Sequence, residues 1–202
     1  MNILITGFEP FGEHEINPSQ ILVQSLPDQY QGCCLLKSTL PVHHELAPRR
    51  LINLLREHQP DAVIAFGLAT GRAKISFERV AINLMDFTLA DNAGVRIENQ
   101  PVIEAGPAAY FSSLPIHTML KALTHAGIPA ELSLTAGSYL CNQVFYVLMH
   151  EIKTYNLKTR AGFIHLPALP QQTAASNRSI PSMGLDQIYT TALLLVAELG
   201  RT

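Results

Sequence analysis

A cysteine, a histidine and a glutamate stand in sequence contexts that could support nucleophilic catalysis. Cys141 follows a strand-like segment and a turn of small residues, and it precedes a segment with helical periodicity. A thiol at a helix N-terminus faces unpaired N–H groups and the positive end of the helix dipole. Both favour a thiolate and could stabilise an oxyanion. The alternative is a small buried residue, as free cysteines often are.

His165 lies near the end of the apolar run Gly162–Leu166, just before a proline-containing turn. This places it at the carboxyl end of a predicted strand, where α/β proteins tend to bind ligands. Beside Cys141 it would be the base that takes the thiol proton and the acid that protonates a leaving amine. A hydrogen-bonded core histidine is the alternative interpretation.

Glu78 is the third candidate, because strand alternation places it on an apolar face with Ser76. A lone carboxylate is costly to bury there, so it should have a partner. One such role is to orient an imidazole. The alternative is an ion pair at the surface with Arg72 or Arg79, although alternation points Arg79 to the opposite face.

The elements that must position these residues alternate along the chain. Strands are predicted at Asn2–Thr6, Leu35–Leu40, Ala62–Phe66, Ile75–Asn83, Ala130–Leu134 and Gly162–Leu166. Helices are predicted at Pro18–Leu26, His44–His58, Pro115–Ala126, Asn142–Lys153 and Met183–Leu199. Pro115 suits a first helical turn, Gly127 a helix end and Ser182 an N-cap. The alternation predicts an α/β fold with a mainly parallel sheet covered on both faces, and 202 residues suit a single domain spanning 1–202.

Composition excludes several classes of function. The net charge of -2 gives no reason to expect nucleic acid or an anionic membrane as a partner. The longest apolar run, Ala192–Ala197, is far shorter than a bilayer span, and the N-terminus lacks a signal-peptide pattern. Three cysteines form no disulfide framework, so a cytoplasmic location is expected.

Patterns typical of cofactors and metals are also missing from the sequence. There is no dinucleotide fingerprint, no Walker motif and no HExxH, and neighbours among His43–Glu45 would point apart on a helix. We therefore expect no metal and no organic cofactor. The loop Gly7–Gly12 carries Phe8 and Phe11, an apolar pair that could line a binding slot, although glycine and proline alone would explain a turn.

Taken together, these segments resemble the pyroglutamyl peptidase I family, also called pyrrolidone-carboxylate peptidases. The resemblance rests on motifs in order along nearly the whole chain: Gly7–Gly12 with Asn17–Ser19, Glu78–Asn83, Gly106–Pro115, Ala136–Asn142, Phe163–Pro167 and Ser182–Met183. Four of them at fitting separations are a more specific signal than any one alone.

The resemblance implies a cysteine exopeptidase that hydrolyses the amide after an N-terminal pyroglutamyl residue through a thioester acyl-enzyme. It implies Cys141 as nucleophile, His165 as general base and Glu78 as its orienting partner. It also implies a three-layer α/β/α sandwich with a twisted mixed sheet, no cofactor and a homotetramer. The implied substrate-binding residues are Phe8, Phe11, Leu68, Leu89, Tyr139 and Leu140, with the two phenylalanines flanking the lactam ring.

Three parts of the chain depart from the family pattern. Leu68 stands where many relatives have glutamine, Thr88–Leu89 replaces a pair that commonly contains arginine, and the segment around His43 and His44 is atypical. Two other hypotheses therefore stay open at this point. One is a related cysteine hydrolase with a different amide substrate, and the other is a non-catalytic small-molecule binder on the same fold.

Overall fold

The computed structural model describes residues 1–174 and 179–201, which form strands alternating with helices. The strands are β1 (Asn2–Phe8), β2 (Gln29–Tyr30), β3 (Cys33–Leu40), β4 (Ala62–Leu68), β5 (Ile75–Glu78), β6 (Val80–Ile82), β7 (Ala109–Phe111), β8 (Ala130–Ser133) and β9 (Arg160–Leu166). The helices are α1 (Pro18–Ser25), α2 (Leu46–His58), α3 (Ile116–His125), α4 (Leu140–Thr154), α5 (Pro170–Thr173) and α6 (Leu185–Gly200).

Seven of the strands form one sheet, in the order β2-β3-β1-β4-β9-β5-β8. β1 pairs in parallel with β3 and β4, β4 with β9, and β5 with β8. Two pairs are antiparallel, β2 with β3 and β5 with β9. The prediction of an α/β fold with a mainly parallel mixed sheet is confirmed.

Helices cover both faces of this sheet and make three layers. On one face, α1, α3 and α6 pack against inward side chains such as Ile3 and Ile64. On the other face, α2 and α4 pack against Leu4 and Val63. All seven residues of β4 are buried, as expected for a central strand with an apolar side chain at nearly every position. Full burial of each large aliphatic side chain contributes about 1.5–3 kcal/mol.

The predicted strand Ile75–Asn83 is wrong as a single element, because it divides into β5 and β6. β5 ends at Glu78 in the large sheet, whereas β6 pairs antiparallel with β7 in a separate two-stranded sheet. The side chain of Asn142 bonds both the N–H and the carbonyl of Ile82, so β6 is held against the start of α4. Glu78 therefore lies at the end of a strand of the large sheet.

Helix ends differ from the sequence prediction in two places. Ser182 does not cap α6, because Met183 N–H donates to the Ala168 carbonyl and keeps this segment extended; the N-cap is Gly184. Pro115 is the N-cap of α3 rather than part of its first turn. Gly127 does follow the end of α3, with a φ of 72° that favours glycine. The sequence patterns did not predict β2, β7 or α5.

Within residues 1–174 and 179–201, no helix combines the length and apolar character needed to cross a lipid bilayer.

Candidate active site

Cys141 is the second residue of α4, so its thiol lies at the amino end of that helix. Tyr139 is the N-cap, with an extended backbone, and α4 begins at Leu140. The N–H groups of a first helical turn have no partner within the helix. They are therefore available to an anion next to the Cys141 thiol.

A glycine in β4 makes room for this thiol. A Cβ atom on Gly67 would lie 2.9 Å from Cys141 Sγ and 2.8 Å from a ring carbon of Phe163. Gly67 is also the register partner of His165 in the neighbouring strand β9. The thiol therefore rests over the backbone of β4, one strand from the imidazole.

The antiparallel pairing of β5 with β9 brings Glu78 to His165. In this register Ser76 lies opposite His165 and Glu78 opposite Phe163, so Glu78 and His165 are diagonal neighbours on one face. Glu78 Oε1 lies 2.7 Å from His165 Nδ1, and both residues are buried. Because a carboxylate only accepts hydrogen bonds, Nδ1 carries the proton and Nε2 is left as the basic nitrogen.

Arg72 also binds Glu78, through a 2.6 Å contact from its Nη1 to the same Oε1. The surface alternative raised from the sequence is thus half correct. Arg72 does pair with Glu78, but the carboxylate is completely buried and shared with the imidazole. Arg79 lines a different cavity with Phe111 and Pro115.

The environment favours the uncharged forms of both the thiol and the imidazole. Burial raises the pKa of the Cys141 thiol to about 12, the negative charge of Glu78 adds to this, and Arg72 opposes it. Burial lowers the pKa of His165, against the opposing effect of its bond to Glu78. The helix N-terminus acts in the opposite direction, and its effect on the Cys141 thiol stays a prediction.

A cavity of about 390 Å³ opens over these residues. Its lining is Phe8, Phe11, Asn17, Val42, Leu68, Ala69, Thr70, Arg72, Thr88, Ala136, Gly137, Tyr139, Leu140, Cys141 and His165. Of the six predicted substrate-binding residues, five line it, and Leu89 does not. Leu89 is 53% exposed, and its neighbour Thr88 faces the cavity instead.

Aromatic side chains form one wall of the cavity. The ring of Phe11 lies 6.2 Å from that of Tyr139, and Tyr139 packs edge-on against Phe87 at 4.7 Å. The Tyr139 hydroxyl donates to the carbonyl of Ala90, which joins this wall to the loop after Phe87. Phe8 lies deeper, 3% exposed and in contact with Phe163. A flat, largely uncharged ligand would fit beside such rings.

Comparison with known proteins identifies the family. The sequence profile described as pyroglutamyl peptidase matches residues 1–198. The chain belongs to the pyroglutamyl peptidase family. The pyrrolidone-carboxylate peptidase of Thermococcus onnurineus is 47% identical over 93% of this chain and 93% of its own length. That of Vibrio vulnificus is 44% identical over 92% of this chain and 86% of its own length.

Solved structures of the pyroglutamyl peptidase family share the whole fold. Pyrrolidone carboxyl peptidase from Pyrococcus furiosus aligns with a TM-score of 0.95 at 38% identity, covering 98% of this chain and 97% of that one. Pyroglutamyl peptidase I from Bacillus amyloliquefaciens aligns with a TM-score of 0.91 at 37% identity, covering 96% and 94%. The family membership and the fold inferred from the sequence motifs are confirmed.

Two residues that support the pyroglutamyl peptidase site were not singled out from the sequence. Asn142 donates to the carbonyls of Ile82 and Leu84 and accepts from the N–H of Ile82, so it fixes the start of α4. Arg72 was considered only as a surface partner. The signal for Asn142 was its place directly after Cys141, since asparagine at a helix start often bonds nearby backbone.

The loop that carries Phe8 and Phe11 is fixed by buried hydrogen bonds. Ser19 Oγ accepts from the N–H of Phe8, and Asn17 bonds both Ser19 and the Glu9 carbonyl. A Cβ on Gly7 would lie 2.3 Å from the Ser19 carbonyl oxygen, so only glycine lets β1 approach α1 this closely. The aromatic slot in this pyroglutamyl peptidase is thus set by backbone packing as well as by its rings.

A cluster outside the catalytic cavity brings together His43, His44 and Asp91, whose potential metal-binding atoms lie within 4.8 Å of one another. The sequence did not predict that Asp91 would join the histidines. Its two oxygens accept hydrogen bonds from the His44 N–H and imidazole and from the N–H groups of Ala93 and Val95. Burial alone would raise the pKa of Asp91, but these bonds lower it to about 2. The cluster is explained as a loop anchor, and the absence of a metal stays a prediction.

A larger open groove of about 910 Å³ lies at the opposite ends of the strands, where β4 and β9 begin. Asp61, Glu151 and Arg160 line it, and Cys141, Glu78 and His165 do not. Cys141 and His165 therefore line the smaller cavity and not the larger groove.

Proposed function

We propose that Cys141, His165 and Glu78 carry the activity of this cysteine peptidase, which removes an N-terminal pyroglutamyl residue from peptides. The observation that supports the proposal is the 2.7 Å bond between Glu78 and His165 below a cavity that also contains Cys141. A nucleophile, a base and a residue that orients the base are the parts that acyl transfer requires.

In the first half of the reaction, His165 Nε2 takes the Cys141 proton as the sulfur attacks the carbonyl carbon of the pyroglutamyl residue. The N–H groups at the start of α4 stabilise the oxyanion. The C–N bond then breaks, His165 returns the proton to the leaving amine, and a thioester remains. Glu78 holds the imidazole in the productive tautomer throughout.

In the second half, water replaces the amine. His165 Nε2 takes a proton from the water as the water oxygen attacks the thioester carbonyl. Collapse of the tetrahedral intermediate breaks the C–S bond, His165 returns the proton to sulfur, and free pyroglutamate leaves. The thiol and the imidazole end the cycle neutral, as burial favours in the free enzyme.

The cavity lining supports a preference for the lactam over an ordinary N-terminus. No carboxylate is present among the described residues that line it, whereas the aromatic rings of Phe8, Phe11 and Tyr139 are. A free α-ammonium group would lose hydration there without a counter-charge, while the uncharged lactam would not. The comparisons do not favour the alternative of a hydrolase for another amide, and family membership leaves no support for a non-catalytic binder.

The test is release of a fluorescent amine from pyroglutamyl and alanyl amides by the wild type and by Cys141→Ser. We expect release from the pyroglutamyl amide alone, and at least a 10³-fold loss in the variant, on the order seen for removal of a nucleophile. Cys34→Ser is the matched control, because Cys34 is a free thiol in β3, away from the cavity. Unchanged turnover by Cys141→Ser would refute the assignment.

Several broader properties remain proposals. A single domain over residues 1–202 is supported by two cores that share one sheet. A cytoplasmic location is supported by three cysteines that are all free.

A homotetramer is supported by the family resemblance and by exposed apolar side chains such as Phe111 (69% exposed) and Leu134 (71% exposed). Light scattering after gel filtration would measure the oligomeric state. Peptides are the expected partners, without nucleic acid, membrane or cofactor.

A further inference from the structure

The carboxylate that orients the catalytic imidazole is itself held by a guanidinium. We propose that Arg72 is a positioning residue of the peptidase reaction, which acts through Glu78 and not on the substrate. This inference rests on the proposed roles of Cys141, His165 and Glu78. It adds a fourth side chain to them.

Arg72 contacts Glu78 and two groups at the end of β8. Nη1 donates to Glu78 Oε1 at 2.6 Å and to Ser133 Oγ at 3.4 Å, and Nη2 donates to the Thr135 carbonyl at 3.0 Å. The guanidinium thus ties the end of β5 to the end of β8. Its planar fork allows all these bonds at once, which a lysine ammonium would not reproduce.

The same carboxylate oxygen serves both partners. Glu78 Oε1 accepts from Arg72 and bonds His165 Nδ1, while Oε2 is buried without a hydrogen-bond partner among the described residues. A fully buried carboxylate with one oxygen unpaired is costly to keep ionised. Arg72 places a positive charge against this carboxylate, and the same carboxylate oxygen accepts the hydrogen bond of His165 Nδ1.

The charge of Arg72 also reaches the reacting groups. The titratable and charged groups around His165 are Glu78 on β5, Arg72 on the loop before β5, and Cys141 and Tyr139 at the start of α4. The positive charge of Arg72 lowers the pKa of His165, whose main shift comes from burial, and it opposes the rise in the Cys141 pKa. Arg72 therefore favours a neutral base and an ionisable thiol together.

The burial of the Arg72–Glu78 pair distinguishes it from an ordinary surface ion pair. The side chain of Arg72 is 28% exposed and opens toward the cavity, whereas that of Glu78 is completely buried. Lys74, two residues later, forms a 3.6 Å pair with Glu131 in which both side chains are about half exposed. Such an exposed pair contributes little, so Lys74→Gln is a matched control for the loss of one positive charge.

The experiment compares Arg72→Gln, Arg72→Lys and Lys74→Gln by kcat and KM as functions of pH on a pyroglutamyl amide. His165 must be neutral to act as a base, so activity falls as pH drops through its pKa. In the wild type, the midpoint of this fall in activity on the acid side (the acid limb) should lie below 6.5, the ordinary pKa of histidine. In Arg72→Gln the repulsion on the imidazolium is gone, and the limb should move to higher pH.

The values of kcat and KM should separate the three variants in the same way as the pH profiles. Arg72→Gln should lower kcat about 10- to 100-fold with KM little changed, the range expected for loss of one charge-assisted hydrogen bond. Arg72→Lys keeps the charge and loses the fork, so its acid limb should stay near that of the wild type while kcat is intermediate. Lys74→Gln should match the wild type in both.

A second readout separates positioning from simple support of the fold. A downfield imidazole N–H resonance, assigned to His165 by its loss in Glu78→Gln, should persist in Arg72→Lys and weaken in Arg72→Gln. An unmoved acid limb and an intact resonance in folded Arg72→Gln would overturn the proposal. If wild type itself released no amine, or Cys141→Ser kept full activity, the proposed catalytic set would fail instead, which is a separate result.

Discussion

The two sides of the cavity are built differently. On the side formed by the ends of β5 and β9, His165 lines the cavity and Glu78 lies behind it, both buried and joined by one hydrogen bond. The other side comes from loops and presents Phe11, Thr88 and Tyr139, which are at least partly open to solvent; Phe11 and Tyr139 pack against each other. The proposed base and the residue that orients it lie on the sheet, whereas Phe11, Thr88 and Tyr139 lie on loops.

This difference indicates which changes each side should tolerate. The geometry on the sheet depends on strand register, so a small displacement there alters a hydrogen bond needed in every turnover. The loop wall depends on contact area, which neighbouring side chains can partly restore. We therefore expect changes on the sheet side to lower kcat and changes on the loop side to raise KM.

The largest effect is expected from Glu78→Gln. The amide would donate to His165 Nδ1 and place the imidazole proton on Nε2, where the base is needed. We expect a loss of about 10³- to 10⁴-fold in kcat with little change in KM. Glu131→Gln is the control and should keep full activity, because this half-exposed side chain on β8 only accepts from Ser76 Oγ and pairs with Lys74, and a glutamine can still accept. A KM effect without a kcat effect in Glu78→Gln would break the comparison.

An intermediate effect is expected from Gly67→Ala. The new methyl group would lie 2.9 Å from Cys141 Sγ and 2.8 Å from the Phe163 ring, so the thiol must shift. We expect kcat to fall about 10- to 100-fold and the free energy of unfolding to fall by about 1–3 kcal/mol.

Gly127→Ala provides the control for Gly67→Ala. Its Cβ would meet nothing within 4 Å, but its φ of 72° strains alanine, so stability should fall while kcat stays the same. Thermal unfolding and steady-state kinetics on both variants separate the two causes. Equal loss of kcat in the two variants would mean that stability alone controls turnover.

The smallest effect is expected on the loop side, from Phe11→Ala. Removing this ring deletes part of the wall against Tyr139, and KM should rise about tenfold with kcat nearly unchanged. Leu89→Ala should have no effect, because Leu89 is exposed and does not line the cavity. A rise in KM for Leu89→Ala would show that the loop closes over the substrate and would sharpen the distinction between the two sides.

The sequence alone predicts the features of the fold and the site that depend on local residue patterns. Apolar runs and periodicity located most elements, and family motifs supplied Cys141, His165 and Glu78. The antiparallel pairing of β5 with β9 could not be predicted in this way. Alternation gave each strand its faces, but only the tertiary pairing decides that Glu78 lies diagonally from His165.

Packing against distant segments of the chain is the other property that local sequence patterns do not predict. The start of α4 carries the thiol as expected, but the sequence pattern did not show that Cys141 Sγ packs against Gly67 of β4, where burial raises the pKa of the thiol. Ser182 does not cap α6 for a similar reason, since its neighbour Met183 bonds Ala168, fifteen residues away in the chain. Contacts between distant segments decided both cases.

The bonds of Asn142 have a consequence for solubility. β6 pairs with β7 along one edge, and its other edge would expose the N–H and carbonyl of Ile82 to strand addition by another molecule. The amide of Asn142 occupies both groups, in the manner of a neighbouring strand. One side chain next to the proposed nucleophile therefore also closes a sheet edge, and its loss would favour aggregation as well as disorder in the helix start.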